Sequence, residues 1–175
     1  PADENWRIVQ FKNGDNVDVY GFEIALQRHL DFLPGNFFKS LGVYLNYTYT
    51  QSKTKGITND AGEERRNIDL PGTAPHIFNG SLSWENERFY IRISTNFTSD
   101  YIDELGGDAF EDRYYDKQFF LDVNASYKIT NNLQVFAEAN NLTNQPLRYY
   151  QGASERTMQA EYYQPSFNLG LKFDL

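Results

Sequence analysis

The sequence contains no cysteine, so its 175 residues can form neither a disulfide bond nor a thiolate metal site. Its two histidines, His29 and His76, lie far apart in the chain and offer no cluster of metal ligands. Basic residues are few as well: 16 lysines and arginines stand against 24 acidic residues, and the formal net charge is -8. This charge argues against a nucleic-acid surface, which needs a basic patch. We therefore predict no metal, no cofactor and no nucleic-acid partner.

Long apolar runs are also missing. No stretch approaches the roughly 18 to 20 consecutive apolar residues that a membrane-spanning helix needs. A β-barrel is not excluded by this, because its strands carry a much weaker signal per segment. No signal peptide is recognisable, and Pro1 does not resemble a native first residue. We expect the chain to be part of a longer protein.

The chain instead shows an alternation of apolar and polar residues, which is clearest in residues 159–175. Side chains repeat every two residues in a strand, so apolar and polar residues here fall on opposite faces. The apolar row consists of Phe167, Leu169, Leu171, Phe173 and Leu175. In a soluble sandwich this row would point into the core, whereas in an outer-membrane barrel it would point into lipid.

Similar patterns predict seven earlier strands, at residues 6–11, 17–30, 43–51, 78–84, 89–98, 119–129 and 133–140. Every second connection is predicted to be a short turn, at 31–36, 85–87 and 130–132. Of the others, three are predicted to be long loops, at 52–75, 102–115 and 145–158, and the short turn at 13–16 is the exception. Outer-membrane barrels have this asymmetry, because their periplasmic turns are short and their extracellular loops are long. An aromatic content of 17% also suits strands and interfacial girdles. The sequence therefore predicts an all-β, antiparallel, up-and-down transmembrane barrel with its apolar rows toward lipid.

Several short motifs occur in these predicted strands and loops. They are NLQVF at 132–136, EANNLTN at 138–144, FNLGL at 167–171, YGFE at 20–23 and LPGTAPH at 70–76, together with Asn79, Tyr149, Gly152 and Arg156. Through these motifs essentially the whole chain resembles the C-terminal barrel part of TonB-dependent outer-membrane receptors. The loops resemble those of receptors from the Bacteroidetes group. One departure is Leu175, which stands where the family usually ends on an aromatic residue.

The resemblance implies a fold, a location and a function. Residues 1–175 would form about eight C-terminal strands of a barrel of about 22 strands, with the plug domain and the earlier strands outside this sequence. The function would be TonB-dependent import, across the bacterial outer membrane, of a ferric siderophore, a cobalamin-like cofactor or an oligosaccharide. The implied partners are that ligand, the plug, the TonB system, outer-membrane lipid and lipopolysaccharide, and a surface lipoprotein. No nucleophile, base and orienting group can be assembled from the chain, so we predict no enzyme.

Arginines and tyrosines gather at the ends of two predicted long loops. They are Arg113, Tyr114, Tyr115, Arg148, Tyr149, Tyr150 and Arg156, and Tyr162 and Tyr163 follow the second of these loops. Such side chains bind anionic or aromatic ligands through charge-assisted hydrogen bonds and stacking, and we predict that they contact the ligand. The same residues also suit an outer aromatic girdle or a rim that faces lipopolysaccharide.

Four charged residues lie on the polar faces of predicted strands: Arg92, Asp122, Lys128 and Glu138. A charge on such a face would be costly in a dry core, so we expect these residues to face the barrel lumen. The resemblance implies that they contact the plug. A hydrated polar network without a plug contact is the structural alternative.

The second long loop is acidic, with Asp103, Glu104, Asp108, Glu111 and Asp112. Carboxylates at such density can bind a divalent cation, but their spacing does not match the Asp-x-Asp-x-Asp-Gly order of an EF-hand loop. A solvated surface loop and a calcium site therefore both stay open, and we predict no metal from this spacing.

Two other interpretations fit the strand pattern. A closed eight-stranded outer-membrane barrel with a structural or adhesive role would pair the first strand with the last. A soluble lipocalin-like carrier would instead bury Phe119, Leu121 and Val123 in its interior. A fragment of a larger barrel would leave both end strands open.

Overall fold

The computed structural model describes residues 16–59 and 62–174, and nearly all regular structure there is antiparallel β-sheet. The elements are β1 (Val17–His29), α1 (Asn36–Lys39), β2 (Leu41–Thr54), β3 (Ile57–Thr58), β4 (Glu64–Arg65), β5 (His76–Glu85), β6 (Phe89–Thr98), β7 (Tyr101–Glu104), β8 (Arg113–Tyr115), β9 (Gln118–Lys128), β10 (Leu133–Asn140), β11 (Leu147–Gln151), β12 (Thr157–Glu161) and β13 (Ser166–Phe173). The predicted strand at 6–11 lies outside the described residues.

The main sheet, which we call the wall, contains seven strands in the order β1-β2-β5-β6-β9-β10-β13. Neighbouring strands of the wall are antiparallel. They are also consecutive along the chain when the short strands within the connections are left out. The predicted all-β, up-and-down antiparallel fold is therefore confirmed. β1 and β13 stand at the two ends of this order.

The register of the wall sorts its side chains into an apolar face and a polar face. One row across the sheet joins Ile24, Tyr47, Phe78, Phe97 and Phe119, each opposite the next on a neighbouring strand. A row on the other face joins Ser83, Arg92, Asn124, Glu138 and Asn168. Because side chains alternate with a period of two, the first face of the wall is mainly apolar and the second mainly polar, with Phe120 and Phe136 as aromatic exceptions on the second.

The apolar face of the wall covers no core. Phe167, Leu169 and Leu171 are 72%, 80% and 69% exposed, and Phe119 is 45% exposed. Within the described residues the only buried large hydrophobic side chains are Ile102 and Tyr150, and neither belongs to the wall. The apolar rows therefore do not fill a sealed interior, contrary to what the lipocalin-like interpretation requires.

The short connections lie at one end of the wall. Asn86 closes the turn between β5 and β6, since its Oδ1 accepts the backbone N–H groups of Arg88 and Phe89 at 2.9 and 2.7 Å. Thr130 does the same between β9 and β10, where its Oγ1 accepts the N–H of Leu133 at 3.1 Å. The connection between β1 and β2 differs from the prediction, because α1 follows the Pro34-Gly35 turn.

No helix in the described ranges is long and apolar enough to cross a membrane.

The three long connections lie at the opposite end, where long loops were predicted, and each of them contains short strands that the sequence did not predict. The first contains the β3–β4 hairpin, the second contains β7 and β8, and the third contains β11 and β12. These strands are only two to five residues long and lack a clear apolar alternation, so a period-two pattern does not reveal them.

Two motif glycines are required by close contacts on the polar face. A Cβ atom on Gly170 would lie 2.3 Å from the ring of Phe136, which covers this position from the neighbouring strand. A Cβ atom on Gly21 would lie 2.0 Å from the carbonyl oxygen of Tyr49. The glycines of FNLGL and YGFE thus let a ring or a strand approach the backbone.

Candidate functional site

The strands of the long connections form a second sheet, which we call the loop sheet, in the order β12-β11-β8-β7. Its order repeats that of the wall strands to which it is joined, namely β13, β10, β9 and β6. In the wall, Thr98 at the end of β6 lies opposite Gln118 at the start of β9. Tyr101 of β7, three residues after Thr98, lies opposite Tyr115 of β8, three residues before Gln118. The loop sheet is therefore an extension of the wall, and it brings the second and third long connections together.

The NNLTN motif makes the passage from β10 to β11. Asn141 has a positive φ of 56°, which Asn tolerates better than most residues. Its N–H donates to Asp122 Oδ1 at 2.8 Å, and its Oδ1 accepts the N–H of Gln145 at 2.8 Å. Thr143 Oγ1 donates to the carbonyl oxygen of Phe119 at 2.7 Å. Asp122, which was predicted to face the lumen, thus anchors this joint.

One face of the loop sheet, the tyrosine face, carries Tyr101, Tyr115 and Tyr149 on adjacent strands. The ring centroids are 5.5 Å apart for Tyr101 and Tyr115 and 4.9 Å apart for Tyr115 and Tyr149. All three are half-buried, and burial raises the pKa of Tyr101 and of Tyr115. These two phenols stay protonated at neutral pH, so this face offers hydroxyl donors beside aromatic rings.

Arg113 adds a cation to the tyrosine face. Its guanidinium carbon lies 5.4 Å from the ring centroid of Tyr149, within cation–π range. It forms ion pairs with Asp103 at 2.5 Å and with Glu104 at 2.7 Å, and the hydrogen bond to Asp103 raises the pKa of Arg113. The charge of Arg113 is therefore fixed in place and is already partly balanced.

A polar cleft of about 410 Å³ opens beside the tyrosine face. It is lined by Arg113, Leu147, Tyr149, Gln159, Glu161 and Tyr163. Glu161 accepts hydrogen bonds from the hydroxyl of Tyr163 and from the side-chain amide of Gln159, and these bonds lower the pKa of Glu161. The cleft thus combines a carboxylate, an amide, phenols and a guanidinium within the size range of small-molecule sites. The predicted ligand contacts did not include Gln159 or Glu161, which lie on a strand of the loop sheet.

The opposite face of the loop sheet is closed. The rings of Tyr114 and Tyr150 stack with centroids 5.0 Å apart and planes 3° apart. Tyr150 is 5% exposed, and its hydroxyl donates to Asp100. Burial, the largest cause, and the hydrogen bond to Asp100 both raise the pKa of Tyr150. Tyr114 and Tyr150 therefore hold the sheet together from within.

Arg148 and Arg156 shape the third connection. Arg148 pairs with Asp116 at 2.7 Å and donates to Thr157 Oγ1 at 2.9 Å, which ties β11 to both neighbouring segments. The guanidinium carbon of Arg156 lies 3.8 Å from the ring centroid of Phe110, and its Nη1 donates to the Phe110 carbonyl oxygen at 2.7 Å. Both arginines contact backbone and side chains of the loops themselves.

A buried ion pair between Arg65 and Asp112 joins the first connection to the second. Both guanidinium Nη atoms donate to the carboxylate, and Nη2 lies 2.9 Å from Oδ2. The side chains are 14% and 1% exposed, and the hydrogen bond to Asp112 raises the pKa of Arg65. No local sequence pattern predicts this pair, because the two residues are 47 positions apart.

The acidic cluster is divided among different partners. Asp103 and Glu104 pair with Arg113, and Asp112 pairs with Arg65. Asp108 Oδ1 accepts the N–H of Phe110 at 2.8 Å, which closes a local turn. Across the described residues, no group of three or more acidic or histidine side chains is placed to hold a metal ion.

The predicted lumen residues all lie on the polar face of the wall. Arg92 and Glu138 share one row and are separated by Asn124 on β9. Glu138 accepts a 3.4 Å hydrogen bond from Asn168 of β13. Lys128 lies opposite Gln134 at the short-turn end.

Comparison with known proteins assigns this architecture to a family. The family model described as TonB dependent receptor-like, beta-barrel matches residues 2–142. The iron-regulated outer membrane virulence protein from two strains of Vibrio cholerae serotype O1 is 30% identical over 138 residues, which are 78% of this chain and 19% of each relative. The chain therefore spans about a fifth of the length of the curated relatives it matches.

A solved structure shows the same fold at low sequence identity. It is a mutant of the ferric enterobactin receptor from Pseudomonas aeruginosa, which superposes with a TM-score of 0.54 and 15% identity. The match covers 89% of this chain and 22% of that receptor. At this identity the likeness concerns the fold.

Proposed function

The chain belongs to the TonB dependent receptor-like β-barrel family, and from that premise we propose that it takes part in importing iron held by a siderophore. Its location is the bacterial outer membrane. Iron is favoured over a cobalamin-like cofactor or an oligosaccharide, because the relatives from Vibrio cholerae are iron-regulated by name. The likeness of the loops to Bacteroidetes receptors stays a prediction.

We propose that residues 1–175 are the C-terminal part of the receptor barrel. The edges of β1 and β13 are unpaired within the described residues, and open edges are not tolerated in hydrocarbon. Further strands of the whole protein would pair with them, and its remaining length would supply the plug that contacts the TonB system. A closed eight-stranded barrel would instead pair residues 6–11 with β13. Cysteines placed in those two segments of the full-length protein would form a disulfide only in the closed barrel.

The orientation follows from the connections. In outer-membrane barrels the short turns are periplasmic and the long connections are extracellular. The loop sheet and its cleft would then face the medium, where a scarce nutrient is captured. The polar face of the wall would line the lumen, with Arg92, Lys128 and Glu138 toward the plug.

The observation that carries the ligand assignment is the tyrosine face with its cleft. Aromatic rings, phenol donors and Arg113 suit an anionic, aromatic iron chelate through stacking and charge-assisted hydrogen bonds. Tyr149 is central, since it contacts Tyr115, lies under Arg113 and lines the cleft. Tyr114, Tyr150, Arg148 and Arg156 would support this surface from behind and at its sides.

The test uses the full-length receptor carrying Tyr149→Ala, with Tyr127→Ala on the apolar face of the wall as the matched control. Loss of one stacking ring is worth about 1 kcal/mol, so we expect Tyr149→Ala to weaken binding of a ferric siderophore about five-fold or more. Binding is measured by fluorescence quenching with a panel of ferric siderophores, cobalamin and oligosaccharides. Growth on the bound chelate as the sole iron source gives the transport readout.

Two outcomes would contradict the proposal. Binding of cobalamin or an oligosaccharide but of no ferric siderophore would exclude iron as the cargo. Unchanged siderophore binding by Tyr149→Ala, with altered retention of lipopolysaccharide, would make the tyrosine face a membrane rim.

A further inference from the structure

The cleft beside the tyrosine face has two ends of opposite charge, and β11 runs between them. Arg113 of β8 lies opposite the last residue of β11. Glu161 of β12 lies opposite the first residue of the same strand. Tyr149 stands midway, and it points to the same face as both ends because side chains alternate along a strand. A ligand that stacks on Tyr149 therefore has a guanidinium on one side and a carboxylate on the other.

The carboxylate of Glu161 is held in place by its neighbours on the cleft wall. Its Oε1 accepts a hydrogen bond from the side-chain amide of Gln159, and its Oε2 accepts one from the hydroxyl of Tyr163. The bonds from Tyr163 and Gln159 lower the pKa of Glu161, so it is ionised at neutral pH. A carboxylate has about four acceptor sites, so each oxygen of this exposed group can accept a further bond. Glu161 is thus oriented toward a donor that enters the cleft.

The cleft carries more negative than positive charge. Arg113 is the only cation among the described residues that line it. Arg113 is already paired with both Asp103 and Glu104. Together with Glu161, three carboxylates therefore stand against one guanidinium. An anionic chelate that stacks on the rings is repelled by this excess, unless its outer part brings a cation to Glu161.

We propose that the cleft selects a ferric chelate that carries a free ammonium group, which Glu161 binds while Tyr149 stacks on the aromatic part of the chelate. This ligand class rests on the proposed siderophore function and is narrower than it. Specificity is a difference between two affinities, and here the difference comes from one charge at one end of the cleft. Glu161 is then a specificity-determining residue, and the tyrosines bind all chelates of suitable shape.

The experiment uses the full-length receptor and two matched pairs of synthetic ferric chelates, one of catecholates and one of hydroxamates. In each pair, one chelate ends in a primary amine, which is protonated at neutral pH, and the other ends in a hydroxyl of similar size. Binding is measured by fluorescence quenching at pH 7. We expect the amine form of the pair that binds to bind about five-fold more tightly at low salt, as for an exposed ion pair. This preference should largely disappear at about 1 M salt, because salt screens exposed charges.

Two variants locate the charge that selects the ligand. Glu161→Gln keeps the shape of the side chain and removes its charge, so it should abolish the preference for the amine form and change binding of the hydroxyl form little. The matched control is Glu155→Gln, in an exposed residue of the third connection that does not line the cleft. This control should keep the five-fold preference.

Three results would overturn the proposal. Equal binding of the amine and hydroxyl forms would show that the cleft does not select a cation, while the siderophore function would stand. A preference that survives in Glu161→Gln, or that is lost equally in Glu155→Gln, would assign selection to the general acidity of the loops. Binding of neither pair would exclude this ligand class, and the panel of ferric siderophores, cobalamin and oligosaccharides then shows whether the proposed cargo fails as well.

Discussion

Asp112→Asn is expected to loosen the loop sheet while leaving the wall intact. The substitution keeps the shape of the side chain and an oxygen that can accept the N–H of Gly106, now 2.9 Å from Asp112 Oδ1. It removes the negative charge that balances Arg65. Because Asp112 is 1% exposed and Arg65 14% exposed, water cannot easily replace the lost partner.

The size of the destabilisation expected in Asp112→Asn follows from the burial of the Arg65–Asp112 ion pair. Removing one partner of a buried ion pair costs about 3 to 5 kcal/mol, because the other charge stays buried and unbalanced. The small exposure of Arg65 favours the lower end, about 3 kcal/mol, which is roughly a hundred-fold in the local opening equilibrium. Replacing both partners, in Arg65→Met with Asp112→Asn, should recover most of this loss.

Amide hydrogen exchange on the full-length receptor measures the effect by region. The amides of Gly72 and Gly152 are good reporters, since they donate to Ile102 and Asp112 carbonyl oxygens at 2.8 Å in both cases. Both should exchange about a hundred-fold faster in Asp112→Asn, while amides of β5 and β6 stay unchanged. The matched control is Asp18→Asn, which breaks the exposed 3.2 Å pair with Lys55 and should cost no more than about 1 kcal/mol.

Either of two results would show that the Arg65–Asp112 pair does not hold the loop sheet. One is unchanged exchange at Gly72 and Gly152 in Asp112→Asn. The other is an additive double variant, because additivity would mean that Arg65 and Asp112 do not interact.

Three further predictions concern single positions. Gly170→Ala should reduce the amount of folded receptor, assayed by heat-modifiable gel mobility, because its Cβ would meet Phe136 at 2.3 Å; Phe136→Ala should restore it. Because the pKa of Tyr150 is raised in the folded protein, its stabilising effect is complete below the unfolded pKa of about 10 and is lost as the pH rises above that value. The amides of β11 should therefore lose protection from hydrogen exchange above about pH 10. In Tyr150→Phe, which cannot ionise, this loss with pH should be absent. Asn141→Ala should weaken the β10–β11 joint by about 1 to 2 kcal/mol, seen as faster exchange at the amide of Gln145.

The strands of the wall were predictable, because the two faces of the wall meet different environments. Apolar and polar residues therefore alternate along each strand. The predicted strand at 89–98 coincides with β6, and that at 133–140 coincides with β10. The predicted strand at 43–51 was too short, since β2 runs to Thr54. Residues 52–54 are polar, so no apolar row marks the continuation.

The loop sheet was not predictable from local pattern, because its contacts join distant parts of the chain. Tyr149 pairs with Tyr115 and stands opposite Gln159, and Arg65 reaches Asp112. Composition did indicate that arginines and tyrosines gather in these loops. It did not indicate that Tyr150 is buried while Tyr149 lines a cleft, because one residue of register decides which face each occupies.

The loop sheet and the wall differ in what stabilises them, and this difference bears on function. The wall has long, continuous ladders and an apolar face for the membrane, whereas the loop sheet has short strands that are held by ion pairs and tyrosine rings around Ile102 and Tyr150. Elements with few buried apolar contacts open most easily. A ligand that enters the cleft beside Tyr149 would therefore act on the part of the chain that is easiest to reshape, while the wall keeps its register.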